Sequence, residues 1–333
     1  MAKKKKSLSY SKIMEIANNF RTCRVLLTAF ELDIFTVLSD GKKTSKEIAE
    51  KIGADERAAG RLLNALTAMD LLKKKKNKFS NTKAADKYLV KGKPGYMGGL
   101  AHTAGLWKTW STLTEAVKKG TSVMNRGEIN ERGDYWLEGF IAAMHMRGRI
   151  QAKEIASLLN FKKVNKVLDV GGGSGAYSFA FVKAKKGLKS VIYDLPKVVP
   201  LTQKYIESEG LSSSVETMTG NYLTDDLGSG YDMMFLSAVI HSNSAEENKL
   251  LFKKCAAGLN EGGKLVVLDQ VMNEDRTKPF GGALFALNML VGTANGDTYT
   301  ESEIKSWMKE AGFSGFKRKD TVSGTAMIIG TKK

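Results

Sequence analysis

Cysteine and histidine are scarce in this chain, and long apolar runs are missing. Two cysteines in 333 residues, Cys23 and Cys255, stand far apart with no C-x-x-C pair. That spacing excludes a disulfide framework, a zinc knuckle and a dithiol redox centre, and it fits a reducing, cytoplasmic setting. The three histidines, His102, His145 and His241, fall at no metal-ligand spacing, and Asp225-Asp226 reads as a polar loop, so no metal is expected. The longest nearly apolar stretch, residues 281–294, is interrupted by Asn288 and is too short to cross a bilayer. The basic start Met1-Ala-Lys-Lys-Lys-Lys6 leads into Ser-Leu-Ser-Tyr-Ser-Lys, not into the apolar core of an export signal. Neither export nor membrane association is expected.

Basic residues, by contrast, are in excess, 52 Lys and Arg against 35 Asp and Glu, and the excess is uneven. Residues 1–100 hold 22 basic and 10 acidic residues, so +12 of the net +17 lies there. Contact with nucleic-acid phosphates is one use of such charge. The lysine runs at 3–6 and 73–76 lack interleaved arginines and aromatics, which is the pattern of a solvated surface, so nucleic acid is not the expected partner. A hydrophobic content of 42% over this length fills the cores of two ordinary domains.

In the first hundred residues, Ile13, Ile16, Ala17, Phe20, Val25, Leu26, Ala29 and Phe30 recur at helical spacing. Thr44-Ser-Lys-Glu47 has capping-box spacing ahead of Ile48, Ala49 and Ile52, and Asp55 is placed to cap a helix carrying Leu62, Leu63, Leu66 and Met69. The charged stretch from 70 to 82 reads as a short hairpin. Helix, turn, helix, hairpin is the winged-helix order. As a DNA reader its second helix offers only Arg57, Arg61, Asn64 and Thr67, a thin base-reading set, so dimerisation or substrate covering is the competing role. Residues 101–160 add helical segments with Trp107, Trp110, Tyr135, Trp136, Phe140, Met144, His145 and Met146, which pack a core or wall a pocket for a flat apolar molecule.

After Val164 the pattern becomes strand, helix, strand. Strands over 166–170, 190–194, 214–219, 231–237 and 264–269 alternate with helices over 176–185, 198–209 and 245–259, and a helix over 302–311 follows. This predicts a doubly wound, mostly parallel α/β sheet. Two last strands near 316–322 and 325–330 close it as an antiparallel edge hairpin. Residues 167–175 read Val-Leu-Asp-Val-Gly-Gly-Gly-Ser-Gly, a glycine-rich turn at the end of the first strand where backbone can approach a nucleoside closely. Gly171, Gly173 and Ala176 also satisfy the loose dinucleotide fingerprint, so the turn alone does not choose the cofactor. Asp194, ending the second strand, is placed to bind both ribose hydroxyls in either cofactor class. Asp169 stands where dinucleotide folds keep an apolar residue, and no second G-x-G-x-x-G follows a strand. With the closing strand pair, these favour S-adenosylmethionine.

On these residues the chain resembles the S-adenosylmethionine-dependent small-molecule O-methyltransferases that carry an N-terminal winged-helix dimerisation domain. The resemblance rests on Leu168-Asp-Val-Gly-Gly-Gly-Ser-Gly175, Tyr193-Asp-Leu-Pro196, Gly220-Asn-Tyr-Leu223, Val239-Ile-His241 and Glu246-Glu247-Asn248. Leu284-Phe-Ala-Leu-Asn-Met-Leu290 and Tyr299-Thr-Glu-Ser-Glu303 look like the bacterial branch. It implies an α/β class I methyltransferase Rossmann-like sheet over 161–333, preceded by a mainly α winged-helix dimerisation domain over 1–100 and by connecting helices lining the substrate pocket over 101–160. It further implies a homodimer, a small-molecule acceptor, and S-adenosylmethionine contacts from Asp169, Gly171, Gly173, Asp194, Leu195, Asn221, Tyr222 and Ser237. His241 matches the family's general base and Asp269 one of two flanking acids. The other acid falls near Thr298, next to Asp297. Relatives often read His-Asp-Trp where this chain has His241-Ser242-Asn243. Asn288 and Met289 match substrate-wall positions, and Met144, His145 and Met146 are further pocket candidates.

The residues carry the chemistry without the family. A sulfonium methyl is already activated, so an enzyme has to align it with the acceptor and remove the acceptor proton. A phenol, with a pKa of about 10, is mostly protonated at neutral pH, and an imidazole, ordinarily about 6.5, is a suitable base. His241 stands just beyond the fourth strand and Asp269 at the end of the fifth. Neighbouring strands lie about 4.8 Å apart, so the two side chains can meet at the ligand edge of the sheet. The expected activity is methyl transfer to a hydroxyl oxygen of a small aromatic or conjugated molecule, with His241 as general base. The alternatives are transfer to carbon, nitrogen or sulfur without a histidine base, and a winged-helix regulator that senses a ligand without turning it over. A nucleic-acid methyltransferase is disfavoured, because Ser237-Ala-Val-Ile-His241 stands in place of an Asn/Asp-Pro-Pro-aromatic clamp and no Pro-Cys occurs.

Overall fold

The computed structural model describes residues 8–124 and 133–333. The lysine run at 3–6 and the side chains of Tyr135 and Trp136 lie outside the described residues. The chain divides into two compact units, Met1–Leu106 and Trp107–Lys333.

The first unit opens with the helix Tyr10–Glu31, capped by the Ser9 side chain, which accepts from the Lys12 amide. A short strand β1 (Lys43–Thr44), the helices Ser45–Ile52 and Glu56–Ala68, and the hairpin β2 (Leu72–Lys75) and β3 (Lys78–Asn81) follow, with sheet order β1-β3-β2. The capping box at Thr44 and Glu47 forms, and Asp55 accepts from the Ala58 amide at 2.8 Å. Both helices start where a side chain can satisfy an amide that has no partner within the helix. Ile48, Leu63, Leu66, Phe35 and Phe79 form the core. The first helix instead turns apolar residues outward: Tyr10, Ile13, Ile16 and Phe20 are 80%, 52%, 58% and 53% exposed. Their spacing of three and four residues puts them on one face.

The second unit is a seven-stranded sheet in the order β11-β12-β8-β7-β4-β5-β6. Its strands are β4 (Lys166–Val170), β5 (Lys189–Asp194), β6 (Val215–Thr219), β7 (Tyr231–Ser237), β8 (Leu259–Asp269), β11 (Phe313–Asp320) and β12 (Ala326–Lys332). Strands β4 to β8 run parallel, β12 joins β8 antiparallel, and β11 pairs with β12 at the edge. The expected closing hairpin is therefore present, entering the sheet by its second strand. Strand β8 starts earlier than the pattern predicts, because Leu259 already pairs with Tyr231 ahead of a register shift.

Period-two alternation sends Leu168, Val170, Met234, Leu236 and Val267 to one face of the sheet and Val167, Met233, Phe235, Val266 and Leu268 to the other. Both faces are buried, which is why these strands read as continuous apolar runs. Strand order reverses between β4 and β7, and ligands bind at the carboxyl edge of such a switch point. Beyond β8, the short strands β9 (Val271–Met272) and β10 (Tyr299–Thr300) pair in parallel. Between them the apolar stretch at 281–294 forms the helix Phe280–Gly292. Among the described residues no helix is long and apolar enough to cross a membrane, and no group of three or more His, Cys, Asp or Glu is placed to hold a metal.

Candidate active site

The glycine turn follows β4 directly. The Gly171 amide donates to the Tyr193 carbonyl at 2.7 Å, and the Gly173 amide donates to Asp194 Oδ2 at 2.8 Å, which ties the turn to the end of β5. Asp194 Oδ1 accepts from the Leu195 amide at 2.7 Å, while the Leu195 side chain is half exposed. At Gly175, φ is +81° and a Cβ would run into Ile192 and lie 2.9 Å from Phe179, so only glycine closes the turn onto the helix Ala176–Ala184. Burial raises the Asp194 carboxyl above its ordinary value, partly offset by its two backbone donors. Each of its oxygens keeps a lone pair for a ribose hydroxyl. Above Gly173 a Cβ would meet nothing nearer than Ile141 at 3.8 Å. A carboxylate with free acceptor capacity beside an open glycine backbone fits a nucleoside.

Asp169 requires a correction. It was expected to touch the cofactor, yet it is 1% exposed and accepts from Ser178 at 2.7 Å, with Ser190 donating in turn to Ser178 at 2.8 Å. Its side chain points into the sheet–helix layer and supports the turn from beneath. Burial pushes its carboxyl up to about 7, with Ser178 pulling the other way. His145 also departs from expectation. It shares a 2.9 Å hydrogen bond with Ser174 in the glycine turn and stacks on Tyr205 at 4.2 Å, so its ring is committed there and not to a wall with Asn288 and Met289.

Strand β7 ends at the half-buried Ser237, and the chain bends through Ala238 at φ +56°, a left-handed conformation costing about 1–2 kcal/mol for a residue with a Cβ. A single 3-10 turn, Ile240–Ser242, then presents His241. Its Nδ1 lies 2.8 and 3.0 Å from the two Asp269 oxygens, so the two side chains meet as the strand arithmetic predicted. Asp269 is 4% exposed and His241 12%. A carboxylate accepts only, so Nδ1 carries a proton, and in the neutral ring the lone pair is on Nε2. The Phe285 ring meets the imidazole edge-on at 4.7 Å. Gly296 packs on the His241 carbonyl, where a Cβ would collide.

The second flanking acid is not supplied by Asp297. That carboxylate is drawn to Arg276 at 3.1 Å, and Arg276 also donates to the Thr298 carbonyl at 2.7 Å and to Glu303 at 2.6 Å. Thr298 itself is buried. Asn221 is likewise engaged within its own loop, its Oδ1 accepting from the Leu223 amide at 3.0 Å. Tyr222 donates to Asn243 Oδ1 at 3.1 Å. Burial pushes the Tyr222 hydroxyl up to about 12; the Asn243 bond opposes this and the Asp194 charge adds to it.

On the helix Phe280–Gly292, Asn288 accepts from Trp110 Nε1 at 2.8 Å and Met289 is buried. Met144 is half buried on the helix Gly133–Leu158, and Met146 is 37% exposed. Sequence reasoning missed Phe285, although it lies three and four residues before Asn288 and Met289 and so shares their helix face. It named Asn248 only within a motif and missed its role: the side chain donates to the Ile240 carbonyl at 2.9 Å.

Comparison with known proteins agrees with this fold. Residues 110–314 match the O-methyltransferase domain and residues 14–91 match the O-methyltransferase dimerisation domain. The chain is similar to the 3-hydroxy-5-methyl-1-naphthoate 3-O-methyltransferase of Streptomyces sahachiroi, 29% identical over 91% of this chain and 89% of that protein. It is also similar to the N,N-dimethyltransferase OxyT of Streptomyces rimosus, 27% identical over 96% of each chain. Among solved structures, an O-methyltransferase family protein from Burkholderia thailandensis superposes with a TM-score of 0.87 at 25% identity, over 98% of this chain and 99% of that one. With a family match over most of the second unit and another over the first, the chain belongs to the S-adenosylmethionine-dependent O-methyltransferases with an N-terminal dimerisation domain, and it is a methyltransferase.

Proposed function

We propose that this enzyme methylates a hydroxyl oxygen of a small aromatic or conjugated molecule, with His241 as general base. The observation that carries the reading is the His241–Asp269 pair at the carboxyl edge of the sheet, Nδ1 lying 2.8 Å from the carboxylate. When bound, S-adenosylmethionine supplies an electrophilic methyl carbon on a cationic sulfur. Gly171, Gly173, Asp194, Leu195, Tyr222 and Ser237 would hold it, with Asp194 on the ribose hydroxyls and Asn221 shaping the loop. Nε2 of His241 would take the proton of the acceptor hydroxyl, leaving the oxygen to receive the methyl group that the cofactor would supply. The Asp269 carboxylate then stabilises the imidazolium. Phe285, Met289 and Met144 give a flat acceptor an apolar wall, and Asn288 adds one polar point. The Streptomyces sahachiroi relative, named for a hydroxylated naphthoate, supports this acceptor class. The Streptomyces rimosus relative, named for N,N-dimethylation, supports a nitrogen acceptor, whose lone pair attacks without prior deprotonation.

The test is labelled S-adenosylmethionine with a panel of phenols, naphthols and amines, products being identified by mass, for wild type and His241→Ala. The expected result is phenolic product and a kcat lower by about 10²–10⁴-fold in the variant, with cofactor affinity retained. Unchanged turnover with cofactor still bound would sink the base assignment. We also infer a homodimer that covers the outward apolar face of Tyr10, Ile13, Ile16 and Phe20. Ile16→Asp with Phe20→Asp should convert a dimer to a monomer by light scattering, and an unaltered mass would refute this.

A further inference from the structure

Three hydrogen bonds, one partly buried and two buried, link the loop of Tyr222 to the turn that carries His241. Tyr222 donates to Asn243 Oδ1 at 3.1 Å, Asn243 Nδ2 donates to Asn248 Oδ1 at 3.1 Å, and Asn248 Nδ2 donates to the Ile240 carbonyl at 2.9 Å. Asn243 is 2% exposed and Asn248 0%, so water does not compete for the two bonds that Asn248 makes. Tyr299 donates to the Asn243 main-chain carbonyl and pins the middle of the chain.

The polarity of this chain is forced from one end. A carbonyl only accepts, so Asn248 must turn its amino group to Ile240 and its oxygen to Asn243. Asn243 must then meet that oxygen with its own amino group, which leaves its oxygen facing Tyr222. The phenol has to donate, and it stays protonated at physiological pH because burial raises its hydroxyl. Reversing either amide would set two oxygens against each other in a buried site. The helix Ala245–Gly258, which carries Asn248, also carries Lys254, whose ammonium donates to the carbonyls of Tyr222, Leu223 and Asp225 at 3.1, 2.8 and 3.0 Å. One helix thus holds both the loop and the turn.

We propose that Asn243 and Asn248 are positioning residues, a one-way relay that fixes the Ile240–Ser242 turn, and with it the His241 imidazole, relative to the Tyr222 side of the cofactor cleft. Its effect on rate rests on His241 being the base; its effect on the imidazole does not. Displacing a reacting group by about 1 Å costs on the order of 100-fold in rate, so a turn held by three bonds is a sensitive place to lose one.

Because the chain has only three histidines, nitrogen-15 histidine labelling resolves His241, identified by its absence in His241→Ala. Tyr222→Phe deletes a single hydroxyl at little risk to folding, and Asn248→Ala cuts the far end. Both should shift the His241 ring resonances while those of His102 stay in place, and Asn243→Ala combined with Asn248→Ala should do no more than either alone. In the methyl-transfer assay Asn248→Ala should lower kcat about 10-fold or more with the S-adenosylmethionine Kd within about threefold. Unmoved His241 resonances in Tyr222→Phe would overturn the relay. Moved resonances together with a His241→Ala enzyme that keeps its turnover would support the relay and overturn the base assignment alone.

Discussion

The glycine turn after β4 and the His241 turn after β7 end neighbouring strands of one sheet, yet they are held by different forces. The glycine turn is held by shape: Gly175 sits where any side chain would strike Ile192 and Phe179, and backbone amides tie the turn to β5. The His241 turn is held by polar side chains, Asp269 on β8 and Asn248 on the helix that follows the turn, and by a strained Ala238. Steric closure tolerates almost no substitution, because packed interiors do not yield. A hydrogen-bonded turn keeps its fold when one partner changes but loses its aim. The difference teaches that damage to the first turn should appear as instability, and damage to the second as lost rate.

The largest expected effect is on the steric side. Gly175→Val combines a left-handed β-branched residue with a collision in the core, and should cost about 3 kcal/mol or more in denaturant unfolding. A loss below about 1 kcal/mol would break the comparison. On the polar side, Asp269→Asn preserves shape and removes charge. It should lower kcat about 100-fold, equal to about 2.7 kcal/mol of barrier, while the unfolding midpoint barely moves. A kcat within twofold of wild type, or a collapse in stability, would erase the distinction.

A pH-dependent effect sharpens it, because a buried acid underlies the glycine turn. Asp169 has its carboxyl raised to about 7 by burial, so the folded state favours its neutral form. Its stabilising contribution is complete below about pH 4, the unfolded value, and is lost as pH rises through about 7. Wild type should therefore lose roughly 1 kcal/mol per pH unit relative to Asp169→Asn across that window. Parallel stability profiles for the two proteins would show that the acid is not buried as described.

Much of this was legible in the chain. The strands at 166–170 and 231–237 were read with their observed limits, because continuous apolar runs bounded by glycine and polar residues leave little freedom. The capping box at Thr44 and Glu47 and the alternation of parallel strands with helices followed from local signals of the same kind. His241 and Asp269 were paired by simple strand spacing, and family membership as an enzyme sets aside the reading as a ligand-sensing regulator. Asp169 and His145 were read as cofactor and pocket residues, and Asp297 was left open as a second flanking acid, without the partners that engage them. Their actual partners, Ser178, Ser174 with Tyr205, and Arg276, come from other segments that no local pattern connects to them.

By itself, the sequence determined the alternation of strand and helix, the glycine turn and the ligand edge of the sheet, because those depend on backbone sterics and on apolar periodicity within a few residues. The tertiary structure alone decided which side chains face each other across that edge: Tyr222 with Asn243, Arg276 with Asp297, Phe285 with His241. A hydrogen bond or ring contact acts over a few ångströms, and residues distant in sequence come that close only when the sheet, turns and helices are packed together.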